Sequence, residues 1–168
     1  PERFSKQIRY LTNNPSIAVL GSAIMEFDNS GLERNKKAIC KSNSILKTLK
    51  FRNPMNHPSC VINKEKVLSV GGYPMLEKNQ DYGLWILLAA KGFKFANIDE
   101  ILLKFRISDN FYRKRGIGLI KNDYLVLLIM IRAGFISFPM FTIILIARTV
   151  FRALPPFLLK LSYSLSRK

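Results

Sequence analysis

Lys78-Asn79-Gln80-Asp81-Tyr82-Gly83-Leu84-Trp85-Ile86-Leu87-Leu88 decides how this chain is read. The stretch holds an acid, the only Trp of the sequence and an apolar run closed by Lys91-Gly92. Asp81 stands where a helix begins and Gly92 where one ends, so the pattern predicts a short helix with a carboxylate at its mouth. Trp85 and its Leu and Ile neighbours leave no polar stripe, which predicts burial on more than one side. Trp85 itself reads as core. Two readings of Asp81 stay open. One is an N-cap accepting from the first-turn N–H groups. The other is a general base fixed in a cleft, its charge stabilised by the helix N-terminus. The two are compatible, because a cap can also face a cleft.

Working outward, residues 93–98 alternate and residues 101–107 follow as a second strand. Upstream, residues 17–27 read as a strand, with Gly21 marking a bulge or a close approach. Pro1-Glu2 followed by Phe4, Ile8 and Leu11 predicts an amphipathic helix, ended by Asn13-Asn14-Pro15. Residues 28–31 form a turn, and residues 33–41 an exposed loop or weak edge. Residues 42–50 are expected to be a short helix capped by Ser42 or Ser44. Asn53-Pro54-Met55-Asn56-His57-Pro58 is a rigid loop, since each proline biases its predecessor to extended backbone. A short strand at 59–62 and a short helix at 64–70 follow, and one glycine of Gly71-Gly72 is expected at positive φ. Helices and strands together make a mixed α/β chain.

The 168 residues suit one domain, and 48% apolar content supports a sizeable core. Lys plus Arg number 27 against 11 Asp plus Glu, a net charge of +16 that calls for an anionic partner. From Ile101 onward there are 12 basic and 2 acidic residues among long apolar runs. Basic charge beside Leu, Ile and Phe suits a membrane surface. No nucleic-acid-binding motif is readable, so nucleic acid is not the expected partner. Cys40 and Cys60 lack metal-like or redox-like spacing and read as two free thiols ahead of a disulfide.

Beyond Phe111 the character changes. Residues 119–132 read as a helix, Gly134 follows, and Ser137-Phe138-Pro139 restarts a helix reaching about Arg152. Pro155-Pro156 breaks it before a last apolar-basic stretch at 157–166. Residues 125–147 number 23, close to the ~20 that cross a bilayer. Arg132, Gly134, Ser137 and Pro139 interrupt them, however, and a mid-bilayer Arg costs ~2.5–3.5 kcal/mol or more. Helices lying in the interface are therefore expected ahead of a spanning segment or a protein-core role. Arg148 and Arg152, four apart, share a face as a basic edge for lipid phosphate. Met140, Ile144, Ala147 and Phe151 supply an apolar face. Residues 1–110 and 111–168 are accordingly divided into a catalytic-type part and a basic amphipathic tail.

Arg3-Phe4-Ser5-Lys6-Gln7, Asn14-Pro15 with the strand to Gly21-Ser22, His57-Pro58-Ser59, Gly71-Gly72-Tyr73, Gln80-Asp81-Tyr82-Gly83-Leu84-Trp85 and Phe105-Arg106 stand in fixed order, followed by Tyr112-Arg113-Lys114-Arg115-Gly116 and the basic apolar tail. Together they resemble the second half of a family 2 glycosyltransferase domain of the GT-A type, found in bacterial polysaccharide synthesis. The resemblance covers nearly the whole chain. It implies an acceptor-side half of the GT-A fold and places the catalytic base on Asp81, with Gln80 where Glu is common. The base would deprotonate an acceptor hydroxyl attacking the anomeric carbon of a nucleotide sugar, with inversion. Gln80, His57, Arg106 and Trp85 are placed around the substrates. For His57 the alternative is packing beside Pro58, and for Arg106 an ion pair with Asp99 or Glu100. Arg113, Lys114 and Arg115 are placed on anionic lipid or a diphosphate, or else form a solvated loop.

The departures matter equally. No Gly-rich phosphate loop and no Asp-x-Asp occurs, so no metal ligand is identified in this chain. The Mn or Mg ion of such enzymes is expected in the full-length protein. The chain is thus expected to be a fragment cut just past its donor site and inactive alone. Ile107-Ser108 replaces a frequent His, and Leu87 a frequent basic residue. The implied partners are a nucleotide-sugar donor, a saccharide or lipid-linked acceptor and the cytoplasmic face of the cell membrane, met peripherally. The alternative is a non-catalytic module that binds a membrane surface or anionic polymer through charge alone.

Overall fold

The apolar run at 17–24 becomes the first half of β1 (Ile17–Phe27), the central strand of a four-stranded sheet. All eight of those residues are buried, as a strand without polar alternation requires when both faces are covered. The computed structural model describes residues 2–37, 39–107 and 117–154. One edge of β1 carries two antiparallel partners: β3 (Val61–Ile62) at Val19 and Leu20, and β2 (Glu33–Lys37) at residues 24–27. The other edge pairs in parallel with β4 (Lys94–Arg106) from Ile17 to Phe27.

The two strands expected at 93–98 and 101–107 are one. Ser22 pairs with Ile98 and Ala23 with Ile101, so Asp99 and Glu100 are accommodated as a bulge. A bulge keeps charged residues out of the ladder without ending the strand. Gly21 is a close approach: a Cβ there would lie 2.3 Å from Asn97 Oδ1 and 3.0 Å from Met55 Cε.

Helix α1 (Glu2–Asn13) forms where expected but turns a different face inward. Phe4 and Ile8 are exposed, whereas Gln7 is fully buried. Its Nε2 donates to Ser59 O at 2.8 Å and Leu20 O at 3.3 Å, and its Oε1 accepts from Arg3 Nε at 3.1 Å. A buried amide costs little when its hydrogen bonds are made. Tyr10 and Leu11 complete this side of the sheet against Ile17, Leu20 and Ala96.

The segment at 42–50 is a 3-10 turn (Ser42–Ser44) leading into α2 (Ile45–Leu49). No Ser side chain caps it; Ser42 Oγ instead accepts from Asn97 N. Helix α3 (Lys64–Ser69) is capped by Asn63, and Gly71 and Gly72 both take positive φ.

Helix α4 (Gln80–Ala90) is buried nearly all round, as its unbroken apolar pattern predicts. Helix α5 (Ile120–Arg132) packs on it, and α6 (Phe138–Ala153) packs on α5 and reaches α4 through Arg148 and Tyr82. Val126, Leu127, Met130, Ile136, Phe141 and Ile144 join Leu84, Trp85, Ile86 and Leu88 in one cluster with Val19 and Phe95. The division at 110/111 therefore does not separate two cores.

Arg148 and Arg152 are corrected as well. Their side chains are 15% and 14% exposed and close on Asp123 of α5, itself buried. A buried carboxylate must be paired, and among the described residues these two cations do so. The apolar face expected at Met140, Ile144, Ala147 and Phe151 is also rotated. Phe141 and Ile144 are buried, while Phe138, Ile143, Ile146 and Val150 lie exposed. No helix among the described residues is long and apolar enough to cross a membrane.

Candidate active site

Helix α4 begins one residue earlier than Asp81, and Asp81 is not its cap. The cap position belongs to Asn79, whose backbone is left-handed (φ 63°) and whose side chain makes no capping bond. Asn tolerates that region better than most non-Gly residues. Asp81 occupies the first turn, where the helix dipole favours a negative charge. Gly83 lets this turn sit tightly under the preceding loop, since a Cβ would come within 2.6 Å of Pro74 and 3.3 Å of Ile129.

Released from capping, the carboxylate faces the Asn53–Pro58 loop. Asn53 Nδ2 donates to Asp81 Oδ2 at 2.7 Å, and His57 Nδ1 stands 4.0 Å from the same oxygen. Oδ1 has no hydrogen-bond partner among the described residues. The Asp81 side chain is 22% exposed and that of His57 44%. On its other side His57 Nε2 meets Tyr73 Oη at 3.1 Å. Burial, then the charge of Asp81, pushes the Tyr73 hydroxyl up from its ordinary range. The same two causes lift the Cys60 thiol to about 12, so it is held as a neutral thiol, and both cysteines are free.

The loop is rigid because β1 holds it. Asn56 Nδ2 and Ser59 Oγ both donate to Ser22 O, and Ser59 Oγ accepts from Ser22 N. Gln7 ties Ser59 O to α1 from behind. The base candidate is thus placed by two elements, α4 and the loop, each anchored to the core.

The other expected site residues fare differently. Trp85 is fully buried; its ring stands edge-on to His57 (5.8 Å) and Phe95 (6.4 Å). It supports His57 from below and cannot itself touch a substrate. Gln80 is exposed and donates to Glu77 O, within its own turn. Arg106 sits over the Phe27 ring at 5.5 Å, six residues along β1 from Gly21, or about 20 Å of strand. It is not brought to Asp81, and Glu100 pairs with Lys6 instead of with it. Arg113, Lys114 and Arg115 lie outside the described residues, as does the stretch at 157–166. Among the described residues no three His, Cys, Asp or Glu side chains gather as a metal site.

Sequence reasoning missed Asn53 and the Tyr73–His57 contact. The signal for Asn53 was its place in a proline-bounded loop beside His57: a polar side chain on rigid backbone is cheap to aim. Tyr73 stands directly after two glycines at positive φ, a turn that carries it across to the loop.

The chain is 35% identical over 172 residues to the amylovoran biosynthesis glycosyltransferase AmsE of Erwinia amylovora, covering all of this chain and 64% of the relative. It is 35% identical over 159 residues to a UDP-Gal:alpha-D-GlcNAc-diphosphoundecaprenol beta-1,3-galactosyltransferase of Escherichia coli, covering 91% and 56%. The O-antigen biosynthesis glycosyltransferase WbnJ of Escherichia coli is 29% identical over 120 residues, covering 70% and 47%. The chain thus spans about half to two thirds of the length of these relatives. No family model matches it. Its homologues are glycosyltransferases, several named for bacterial polysaccharide synthesis.

Proposed function

We propose that this chain is the acceptor-side part of an inverting, family 2 glycosyltransferase of the GT-A type, with Asp81 as its general base. The observation that carries the reading is the Asp81 carboxylate itself. It stands at a helix N-terminus without capping it, is held through one oxygen by Asn53, and keeps the other oxygen open. In the reaction Asp81 takes the proton of an acceptor hydroxyl as that oxygen bonds to the anomeric carbon of a nucleotide sugar. The bond from that carbon to the diphosphate breaks on the opposite face, and the nucleoside diphosphate leaves with the electron pair. Attack and departure on opposite faces invert the centre. His57 and Tyr73 line the approach to Asp81 and contact the acceptor.

A lipid-linked saccharide is the acceptor class that best suits this chain, in view of its basic charge and of the diphosphoundecaprenol named for one relative. A divalent ion would be held by groups outside the described residues and would neutralise the charge of the departing diphosphate. We place the protein peripherally on the cytoplasmic membrane face, with the exposed Phe138, Ile143, Ile146 and Val150 side of α6 toward the lipid.

The test is Asp81→Asn in the full-length enzyme. Asn keeps the shape and one carbonyl oxygen for Asn53 but accepts no proton. Transfer from a nucleotide sugar should fall roughly 10²–10⁴-fold with the fold unchanged. Near-normal turnover would remove Asp81 from the mechanism. Liposome flotation tests the placement: binding to anionic vesicles should weaken in Ile143→Ser/Ile146→Ser. Equal flotation of that variant would move the contact elsewhere.

A further inference from the structure

Around Asp81 the hydrogen bonds close into a ring that passes through α6. Asp81 accepts from Asn53 (2.7 Å). Two residues before Asn53, the Phe51 carbonyl accepts from Arg148 Nη2 at 3.0 Å. The same Nη2 donates to Tyr82 Oη at 3.0 Å, and Tyr82 is the next residue after Asp81. Tyr82 Oη in turn donates to Leu49 O at 2.8 Å, so the end of α2 is fastened to the start of α4 directly as well. The Arg148 guanidinium also lies over the Tyr82 ring at 5.5 Å. Behind it, Arg148 Nη1 faces Asp123 Oδ1 at 3.5 Å, and Arg152 Nε donates to Asp123 Oδ2 at 2.9 Å. Asp123 and Tyr82 are buried, and Arg148 nearly so.

We propose that Arg148 is a positioning residue for the Asp81 carboxylate, clamping from α6 both segments that meet in the Asn53–Asp81 hydrogen bond. The inference rests on Asp81 being the base. The planar guanidinium suits this task, because its donors are fixed relative to one another and one cation can span two acceptors. Asp123, itself held by Arg152, faces the guanidinium from the far side as an ion pair at 3.5 Å without a hydrogen bond. Without the clamp, the Asn53–Asp81 hydrogen bond has only the Tyr82–Leu49 bond, among the described residues, to hold the chain at 49–53 in register with the first turn of α4. The carboxylate then loses its fixed aim toward an acceptor hydroxyl, and small displacements of a reacting group are expensive. The role explains why a charged cluster is retained deep between helices, where an apolar contact would stabilise as well.

The test is a double-mutant cycle on kcat in the full-length enzyme, with Arg148→Met, Asn53→Ala and the double variant. Each single change should lower kcat roughly 10-fold to 10²-fold with the donor KM little changed. The double variant should be no slower than the slower single, because both act on one bond. Arg148→Lys should recover part of the loss. Multiplicative losses in the double variant, or a loss confined to KM, would overturn the clamp. If Arg148→Met fails to fold, Tyr82→Phe in the same cycle with Asn53→Ala decides the matter, since it leaves the Asp123 ion pairs in place. Asp81→Asn is measured alongside. If it retains turnover, the reading of the base fails; if it is inactive and the cycle is multiplicative, only the clamp fails.

Discussion

Helices α4 and α6 are both apolar with one or two charges, yet they use those charges in opposite ways. In α4 the apolar residues are buried nearly all round, and the one acid is left at the rim of a cleft. In α6 the two arginines are turned inward onto Asp123, and four large apolar residues are left outside. A helix without a polar stripe has one solution, complete burial. A helix carrying apolar residues on two sides has several, and the neighbour decides between them. Here the neighbour is α5, whose single buried carboxylate selects the arginine face.

The contrast can be tested by removing each helix's anchor. Trp85→Ala empties the largest buried side chain of the α4 core and should cost about 3–5 kcal/mol of stability, measured by urea unfolding. A cost under about 1 kcal/mol would mean that α4 is not the centre of the core. Asp123→Ala strands two inward-facing arginines and should cost about 3 kcal/mol. A neutral outcome would show that the arginines swing out to water, and with them the face of α6 they define.

The link between the two helices titrates. Burial pushes the Tyr82 hydroxyl up to about 12, against the weaker opposing pull of Arg148. The folded value lies above the unfolded one, near 10. Stability from this group is therefore complete below pH 10 and is lost as pH rises toward 12. The loss should approach about 3 kcal/mol. Cys60 titrates in the same direction, so the comparison is with Tyr82→Phe, which should show a shallower decline over pH 10–12 in thermal melts. Identical slopes would mean that the hydroxyl is not held neutral between α4 and α6. The smallest effect belongs to the outer face of α6: Ile143→Ser or Ile146→Ser should change stability by less than about 0.5 kcal/mol. A loss above 2 kcal/mol would place that face inside a protein contact.

The mixed α/β order, the buried strand at 17–27, the close approach at Gly21, the glycine stops and the burial of Trp85 were legible in the chain. All follow from local rules: which residues tolerate positive φ, and which leave no polar side to present to water. Asp81 was legible as a carboxylate at a helix start, and the Asn-Pro to His-Pro loop as rigid. Its freedom from capping was not, because the cap passed to Asn79 through a left-handed backbone that packing, and not the local pattern, selected. Asn53, 28 positions upstream, became its partner only when β1 held the loop against α4.

The inward face of a helix is a different kind of question. Gln7 is buried in α1 while Phe4 and Ile8 are exposed, because two carbonyls, from Leu20 and Ser59, meet where Gln7 points. Arg148 and Arg152 are buried because Asp123 is. In each case the transfer cost of a polar group is cancelled by partners that are distant along the chain. Residue by residue, composition and periodicity decide which segments become helix or strand. Which polar groups go inside, and which acid is left to face a substrate, depends on hydrogen-bond partners that exist only once those segments have packed.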